Sequence, residues 1–537
     1  MRILTAAQMR EADRLTSERH GVTSLQLMGN AGSGVVAFLQ KEYPDLAKRR
    51  ILILCGKGNN GGDGFVVARL LFQLGSKPGV FLFARPEEVQ GDAAFNLERW
   101  RHVGGALTTI TEIGEWKDWM DNVLGAHELV VDALLGTGLS KPVEGLLAYV
   151  IQSINEHSIY ARHKSRVLAV DMPSGLPSDD APAMWPVMRA DWTVTFTAPK
   201  IGQLLSPACE NVGRLIVHSI GTPRSLVEQL PGGGPDLRWL EPGEFRALPL
   251  RRRADTNKGT YGHALIVAGS RGKAGAAALA GWGALRTGAG LVTVATPEDG
   301  LPVAASYLPE LMTAPLAQTT AGTISLRNFK SGAFKQLVKG KNVLAIGPGL
   351  TTQKETQKFV LQALAECPLP IVLDADGLNA LAAAKKPLLK RRSQALVLTP
   401  HPGEMARLLG VTTQEIQADR LGSATRAAKK YRAFIVLKGF HTIVATPDGC
   451  AFINSTGNPG MATAGTGDVL TGMLAGLTAQ FGIQNWERIL GLGVYLHGLA
   501  GDIASARVGE APLIASDLIG AIPEAFMKLR AELEDGF

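Results

Sequence analysis

Short apolar runs recur along the chain, and each ends in a glycine- or acid-bearing turn before a longer, helix-like stretch begins. In the first half, Ile51–Cys55 and 80–84 read as strands, and 65–74 reads as a helix. Further strands end at Val131-Asp132, at Val170-Asp171 and in 193–196. In the second half, 264–267, 291–295, Val343–Ile346, Ile371–Leu373, Leu396–Leu398 and Phe434–Leu437 read as buried strands with helix-like stretches between them. Helices dominate the C-terminal end, at 469–479 and 489–506. Strands alternating with helices predict, in each half, a mostly parallel sheet covered on both faces, the α/β class.

At 537 residues the chain exceeds the roughly 250–300 residues at which a single core stops growing, so two domains are expected. Pro231-Gly232-Gly233-Gly234-Pro235 disfavours helix and strand and reads as a linker. It places the boundary within 220–240, with domains at 1–222 and 223–537. The halves share no obvious internal repeat, which argues against duplication. Hydrophobic residues at 46% and charged residues at 19% fit a soluble globular protein. The net charge of +7 is mild for this length, and aromatics are only 6%. The clusters Arg251-Arg252-Arg253 and Lys390-Arg391-Arg392 therefore read as solvated surface or linker charge, not as a nucleic-acid surface. Cys55, Cys209, Cys367 and Cys450 lack metal-ligand spacing and read as reduced thiols. The start, Met1-Arg2-Ile3-Leu4-Thr5, has no signal-peptide pattern, and no apolar run approaches the ~20 residues that span a bilayer. The expectation is a cytoplasmic protein with no nucleic-acid and no membrane partner.

In open α/β sheets ligands bind outside the carboxyl ends of the strands. Three polar segments of the first half fall there: Gly58-Asn59-Asn60-Gly61-Gly62-Asp63-Gly64, Asp132 with Gly136-Thr137-Gly138, and Asp171-Met172-Pro173-Ser174-Gly175. Glycine-turn amides and a helix N-terminus suit phosphate, and the acids suit proton transfer or cation binding. Taken singly, Asp63 reads as a helix N-cap, and Asp132 and Asp171 as turn-satisfying residues. Three such segments in one domain point instead to a shared site. The first is neither a Walker A loop, since no Gly-Lys-Ser/Thr follows, nor GxGxxG in spacing.

Together with Asp132-Ala133-Leu134-Leu135-Gly136-Thr137-Gly138, these motifs resemble the NAD(P)H-hydrate epimerase domain over nearly all of residues 1–220. The resemblance implies a Rossmann-like three-layer sandwich acting on NAD(P)H that carries a misplaced water at C6 of its nicotinamide ring. It implies substrate contacts from Asn59-Asn60-Gly61-Gly62-Asp63 and Gly136-Thr137-Gly138-Leu139-Ser140-Lys141-Pro142. It makes Asp171 the acid/base that interconverts the R and S hydrates, with K⁺ held near Asn60, Asp132 and Ser174. Residues 177–188 depart from the family, being rich in proline and methionine where an Asp/Asn-rich turn is usual.

The second half carries Asn458-Pro459-Gly460-Met461-Ala462-Thr463-Ala464-Gly465-Thr466-Gly467-Asp468 ahead of a helix. Glycine-freed amides at a helix start form an anion hole for a transferring phosphate, and Asp468 is placed to take a proton from a hydroxyl. A capped helix behind a flexible loop is the plainer reading of Gly-x-Gly-Asp alone. Four more strand ends carry ligand-type loops: Gly347-Pro348-Gly349, Asp374-Ala375-Asp376-Gly377, Thr399-Pro400-His401-Pro402-Gly403-Glu404 and Lys438-Gly439-Phe440-His441-Thr442. Alone, His401 reads as a satisfied turn histidine and Lys438 as a solvated surface lysine.

The set resembles the ribokinase-like superfamily. Within it, Thr399-Pro400-His401-Pro402-Gly403-Glu404-Met405 and 458–468 resemble the ADP-dependent NAD(P)H-hydrate dehydratase, over about residues 240–530. The resemblance puts the nucleotide on Lys438-Gly439-Phe440-His441-Thr442 and on 458–467. It puts the hydrate on Gly349, His401-Pro402-Gly403-Glu404-Met405-Ala406-Arg407 and Asp468. It implies ADP as phosphoryl donor, Mg²⁺ with its phosphates, and a homo-oligomer. Two rivals stand beside this reading: a ribokinase-like small-molecule kinase with a fused sensor domain, and a non-catalytic nucleotide- or RNA-binding N-terminal module.

Overall fold

The computed structural model describes residues 1–139, 141–160, 164–179, 186–231, 236–384, 391–393 and 395–534. Ser140, Lys390, most of the expected linker and the middle of 177–188 lie outside the described residues. The chain divides into two compact units, one of Arg2–Gly234 and one of Pro235–Phe537 with Met1.

The first unit is built on a parallel sheet. Its strands are β1 (Ile51–Cys55), β2 (Gly79–Leu82), β3 (Thr108–Thr109), β4 (Leu129–Ala133), β5 (Arg166–Val170), β6 (Trp192–Phe196) and β7 (Arg214–His218). Their order across the sheet is β3-β2-β1-β4-β5-β6-β7, and every pairing is parallel. The two-residue period of β1 splits its side chains between two cores. Ile51, Ile53 and Cys55 join the helices Ser24–Glu42, Asn59–Gln73 and Gly91–His102, while Leu52 and Leu54 join Ile113–Ala126 and Gly145–Tyr160. Strand order reverses between β1 and β4, which opens a crevice at their carboxyl ends.

The glycine segment at 58–64 differs from its sequence expectation. It is the opening of the helix Asn59–Gln73, capped by Gly58, so Asp63 lies inside the helix and is not its N-cap. Glycine is a poor helix former, which is why the segment reads as a loop. Packing overrides that preference. A Cβ on Gly61 would lie 1.8 Å from the Gly56 carbonyl oxygen, and one on Gly64 would lie 2.8 Å from Ala133 Cβ and Cys55 Sγ.

The second unit holds a mixed sheet of β8 (Leu237–Trp239), β9 (His263–Val267), β10 (Leu291–Pro297), β11 (Met312–Leu316), β12 (Val343–Ile346), β13 (Ile371–Leu373), β14 (Leu396–Leu398), β15 (Phe434–Leu437), β16 (Ile443–Ala445) and β17 (Ala451–Ile453). The order is β11-β10-β9-β12-β13-β14-β15-β16-β17-β8, parallel from β11 to β15 and antiparallel through β16 and β17. The short strands β16 and β17 escape a sequence reading tuned to long apolar runs. Trp486–Val508 is long and apolar enough by composition to cross a membrane, contrary to the sequence expectation, and 78% of its apolar window is buried in the unit's core. All four cysteines are free thiols.

The helices Ala274–Arg286 and Thr466–Phe481 approach backbone to backbone. A Cβ on Gly472 would sit 1.9 Å from the Ala280 carbonyl oxygen, and one on Gly476 would sit 2.5 Å from that of Ala284. This contact fixes how far the start of Thr466–Phe481 projects past the sheet. Gly472→Val is therefore expected to destabilise the second unit by about 1–3 kcal/mol, as overpacked cores do. Gly275→Ala, on the same helix pair with open space around it, should be neutral or slightly stabilising. Equal denaturation midpoints for the two variants would contradict the close-approach account.

Candidate functional sites

The first unit carries a cavity of ≈ 920 Å³ at the β1/β4 crevice. Its wall includes Asn59, Asn60 and Asp63 from the first glycine segment, Gly136, Thr137 and Gly138 from the turn after β4, and Asp171. Gly61 and Gly62 are buried behind the wall, Leu139 packs against the core, and Lys141 and Pro142 are exposed away from it.

Asp171 follows β5 with a positive φ of 63°, a conformation a non-glycine residue keeps only when its surroundings hold it. Its N–H donates to the Val194 carbonyl at 2.8 Å, and Gln203 Nε2 donates to its own carbonyl at 2.7 Å. Its Oδ1 accepts from Lys200 Nζ at 2.6 Å and from Thr195 Oγ1 at 2.9 Å. Lys200 is fully buried, so its ammonium depends on this partner for compensation. Sequence reasoning missed Lys200, Thr195 and Gln203. A lysine four residues past the strand end of β6 was the available signal.

Asp132, also fully buried at the end of β4, accepts from Ser174 Oγ at 2.6 Å, Ser174 N at 2.8 Å and Leu134 N at 3.3 Å. Burial pushes its carboxyl up to about 6 against these hydrogen bonds. Asn60 Nδ2 donates to the Leu135 carbonyl at 2.9 Å, and Ser174 Oγ lies 3.4 Å from that same oxygen. Asn60 Oδ1 is buried with no partner. Asn60 and Ser174 thus meet at one carbonyl, with the buried Asp132 carboxyl bonded to Ser174, and oxygens of these kinds suit a hard monovalent cation. Burial, with Asp171 and Asp13 beside it, holds the Asp63 carboxyl well above the usual range.

In the second unit the strand order reverses between β9 and β12, and the polar residues gather at the carboxyl ends from β9 to β15. Gly349, at φ 65°, accepts from Ser270 Oγ at 2.7 Å. Asp374, after β13 and 1% exposed, accepts from Lys438 Nζ at 2.7 Å and Thr471 Oγ1 at 2.6 Å. Glu404 Oε2 lies 3.9 Å from the same ammonium. Lys438 is thus turned inward among carboxyls and is not a solvated surface lysine. Burial opposes its charge, but Asp374 and Glu404 outweigh that and raise its pKa.

Asp468 occupies the first turn of Thr466–Phe481, capped by Gly465 at φ 91°. Burial, then Asp374, push its carboxyl up to about 7 although Lys438 pulls the other way. A Cβ on Gly467 would lie 3.5 Å from Lys438 Nζ, so the ammonium stands beside the glycine amides. His497 hydrogen-bonds the Thr466 carbonyl at 2.9 Å, and burial lowers its pKa to about 4, which keeps the ring neutral. Asn458 Oδ1 accepts from Gly460 N at 3.0 Å, and Asp502 receives Gly457 N at 3.0 Å and Asn458 Nδ2 at 2.9 Å. Phe440 is exposed and stacks on His441 at 3.9 Å, and Thr442 Oγ1 donates to the Gly439 carbonyl at 2.9 Å. Arg420 reaches the Leu437 and Phe440 carbonyls at 3.4 and 3.3 Å, pinning that loop.

His401 caps the helix Pro402–Leu409, its Nδ1 accepting from Gly403 N at 3.0 Å, while Arg407 Nε meets Asn379 Oδ1 at 2.9 Å. Met405 and Ala406 are buried in packing. Sequence reasoning missed Thr471, His497, Arg420 and Asp502. Each acts from inside a helix, where no strand-end signal marks it. Among the described residues no three His, Cys, Asp or Glu side chains are grouped to hold a metal ion.

Two α/β units, each with acids at the carboxyl ends of parallel strands, define a two-site enzyme. A family model described as NAD(P)H-hydrate dehydratase matches residues 264–524, and one described as YjeF-related protein N-terminus matches 24–202. The chain is 45% identical to a bifunctional NAD(P)H-hydrate repair enzyme Nnr of Moorella thermoacetica, over 99% of this chain and 98% of that one. It is 34% identical to the enzyme of that name from Escherichia coli, over 96% and 92%. A solved structure of an ADP/ATP-dependent NAD(P)H-hydrate dehydratase from Bacillus subtilis, co-crystallised with ATP/Mg²⁺, is 34% identical, with a TM-score of 0.48 over 56% of this chain and 100% of that one. The chain belongs to the family of bifunctional NAD(P)H-hydrate repair enzymes.

The Asp132 carboxyl has a direct consequence for stability. A carboxyl raised to about 6 in the fold, from an ordinary 3.8, binds its proton more tightly folded than unfolded. Its contribution is fully present below pH ~4 and is lost as pH rises through about 6. In potassium-free buffer, the stability of the wild type relative to Asp132→Asn should fall by on the order of 3 kcal/mol between pH 4 and pH 7. A pH-independent difference in denaturant unfolding would count against the burial of this charge.

Proposed function

We propose that the first unit interconverts the R and S hydrates of NAD(P)H through Asp171, and that the second dehydrates the S form with ADP through Asp468. The observation that carries this reading is a pair of acids, one at a strand end held by a buried lysine and one standing beside glycine amides at a helix start. Epimerisation at C6 needs reversible loss of the hydroxyl or ring opening, and either needs a proton acceptor within reach. Asp171 is fixed for that work by its strained backbone and its lysine. Asn60, Asp132 and Ser174 would hold K⁺, which supplies fixed positive charge beside the bound pyrophosphate.

In the second unit, Asp468 takes the proton of the C6 hydroxyl as that oxygen receives the terminal phosphate of ADP. The Thr466 and Gly467 amides face the charge that builds on the transferring group, with the Lys438 ammonium beside them. Phosphate leaves far more readily than hydroxide. The ring nitrogen expels it, and loss of a C5 proton to solvent then restores the C5–C6 double bond, giving NAD(P)H, AMP and phosphate. The exposed Phe440–His441 stack suits an adenine face. Mg²⁺ enters with the nucleotide phosphates, and we place the protein in the cytoplasm as a homo-oligomer.

An epimeric mixture of NADH hydrate, supplied with ADP and Mg²⁺, separates the two roles. The wild type should restore the absorbance of reduced nicotinamide completely, with AMP released. Asp171→Ala should stop once the S form is consumed. Asp468→Asn should restore almost nothing, at least 100-fold slower, while still interconverting the epimers. A stable phosphorylated product would instead make the second unit a kinase.

A base titrating at about 7 works only when deprotonated, so its active fraction rises with pH. Dehydratase kcat/KM should therefore climb nearly tenfold per pH unit well below 7 and level off above it. A flat profile from pH 5 to 8 would remove Asp468 as the base.

A further inference from the structure

One partly buried acid of the first cavity has no role in the reaction described above. Asp13, on the helix Ala6–His20, lines the same cavity as Asp171, Asp63 and Lys200. Its Oδ1 is buried and has no hydrogen-bond partner. A buried carboxyl oxygen left without a partner costs free energy, and protonation of the carboxyl relieves that cost. The other acids of this cavity are differently placed. Asp171 accepts two hydrogen bonds, one from an ammonium, so its geometry is that of a proton acceptor. Asp63 is held inside a helix and is 9% exposed.

Interconversion of two epimers requires water to leave from one face of the ring and return to the other. A single carboxyl fixed on one side serves only one of those faces. We propose, resting on the epimerase reading of this unit, that Asp13 is the second acid/base of the site and gives its proton to the departing C6 hydroxyl. In that step the C6–O bond breaks as the ring-nitrogen lone pair forms the C6–N double bond. The hydroxyl oxygen takes the Asp13 proton and leaves as water. A water then adds to C6 from the other face, the C6–N π electrons return to nitrogen, and the proton that water loses passes to Asp171. Exchange with solvent returns the proton to Asp13, and the reverse reaction runs the two carboxyls in the opposite order. Burial, against the pull of Lys200, moves the Asp13 carboxyl up to about 6, close to the value at which a general acid works best near neutrality.

The test uses the full-length protein and a pure epimer of NADH hydrate in ¹⁸O-labelled water. The wild type should incorporate label at the C6 hydroxyl as it interconverts the epimers. Asp13→Asn should lower kcat for interconversion and label uptake together by at least 100-fold, with KM within about twofold and dehydration of the S form unchanged. Asp13→Glu should recover part of kcat. Interconversion by Asp13→Asn within threefold of the wild type overturns the proposal, as does a rise in KM at unchanged kcat. A wild type that dehydrates the S form but never interconverts epimers removes the epimerase reading itself, and the role of Asp13 with it.

Discussion

Both sites depend on backbone approaching backbone at distances no side chain permits. In the first unit a Cβ on Gly56 would stand 2.0 Å from the Leu134 carbonyl oxygen, and one on Gly61 would stand 1.8 Å from that of Gly56. In the second, Gly347 is pressed as closely on the Asp374 carbonyl, at 1.8 Å, and Gly472 on Ala280 at 1.9 Å. Each contact seats a helix start or a strand-end turn against its neighbour. The acids that follow are thereby set at fixed depth in a crevice. Glycine destabilises a helix interior by roughly 1 kcal/mol relative to alanine. Here that cost is offset by the position it gives Asp63 and Asp468, which no larger residue would allow.

Depth then sets the electrostatics. Each of these carboxyls is enclosed by the turns and helices around it, so desolvation is the leading influence on Asp132, Asp63, Asp13 and Asp468 alike. The compensation differs between the units. Asp171 is met directly by a lysine with no exposure at all, whose charge Asp13 and Asp63 also feel. In the second unit a single Lys438 serves Asp374 at 2.7 Å and Glu404 at 3.9 Å, with Asp468 also feeling its charge. Removing one member of either group would strand a buried charge, which costs more than the pair itself contributes.

The strands, their parallel arrangement and most of the strand-end acids were legible in the sequence, because apolar runs ending in Gly and Asp carry both signals at once. Two things were not. The segment at 58–64 reads as a loop because local propensity is all a sequence displays, whereas its helicity comes from close packing on Gly56 and Ala133. Lys200, Thr471 and His497 were missed for a related reason. They lie 29, 97 and 31 residues from Asp171, Asp374 and Thr466, the groups they contact, and only the order of strands in the sheet brings them together. Lys438 was assigned to the site only through the resemblance, since nothing in its own segment shows that Asp374 lies beside it.

The second site also constrains what must accompany its nucleotide. Asp374, Glu404 and Asp468 face one ammonium, so with all three ionised the group is net negative before any ligand enters. A diphosphate arriving alone would add further negative charge to a partly buried cluster, where such repulsion is least screened. The cluster can relieve this by keeping protons on Asp468 and Glu404, whose carboxyls burial already raises. That relief would remove the base proposed above for the reaction. A divalent cation carried in on the phosphates offsets the repulsion without protonating Asp468, because it neutralises the incoming charge. On the dehydratase reading proposed above, the same acids that make the site a poor place for bare phosphate would favour a metal-bound nucleotide.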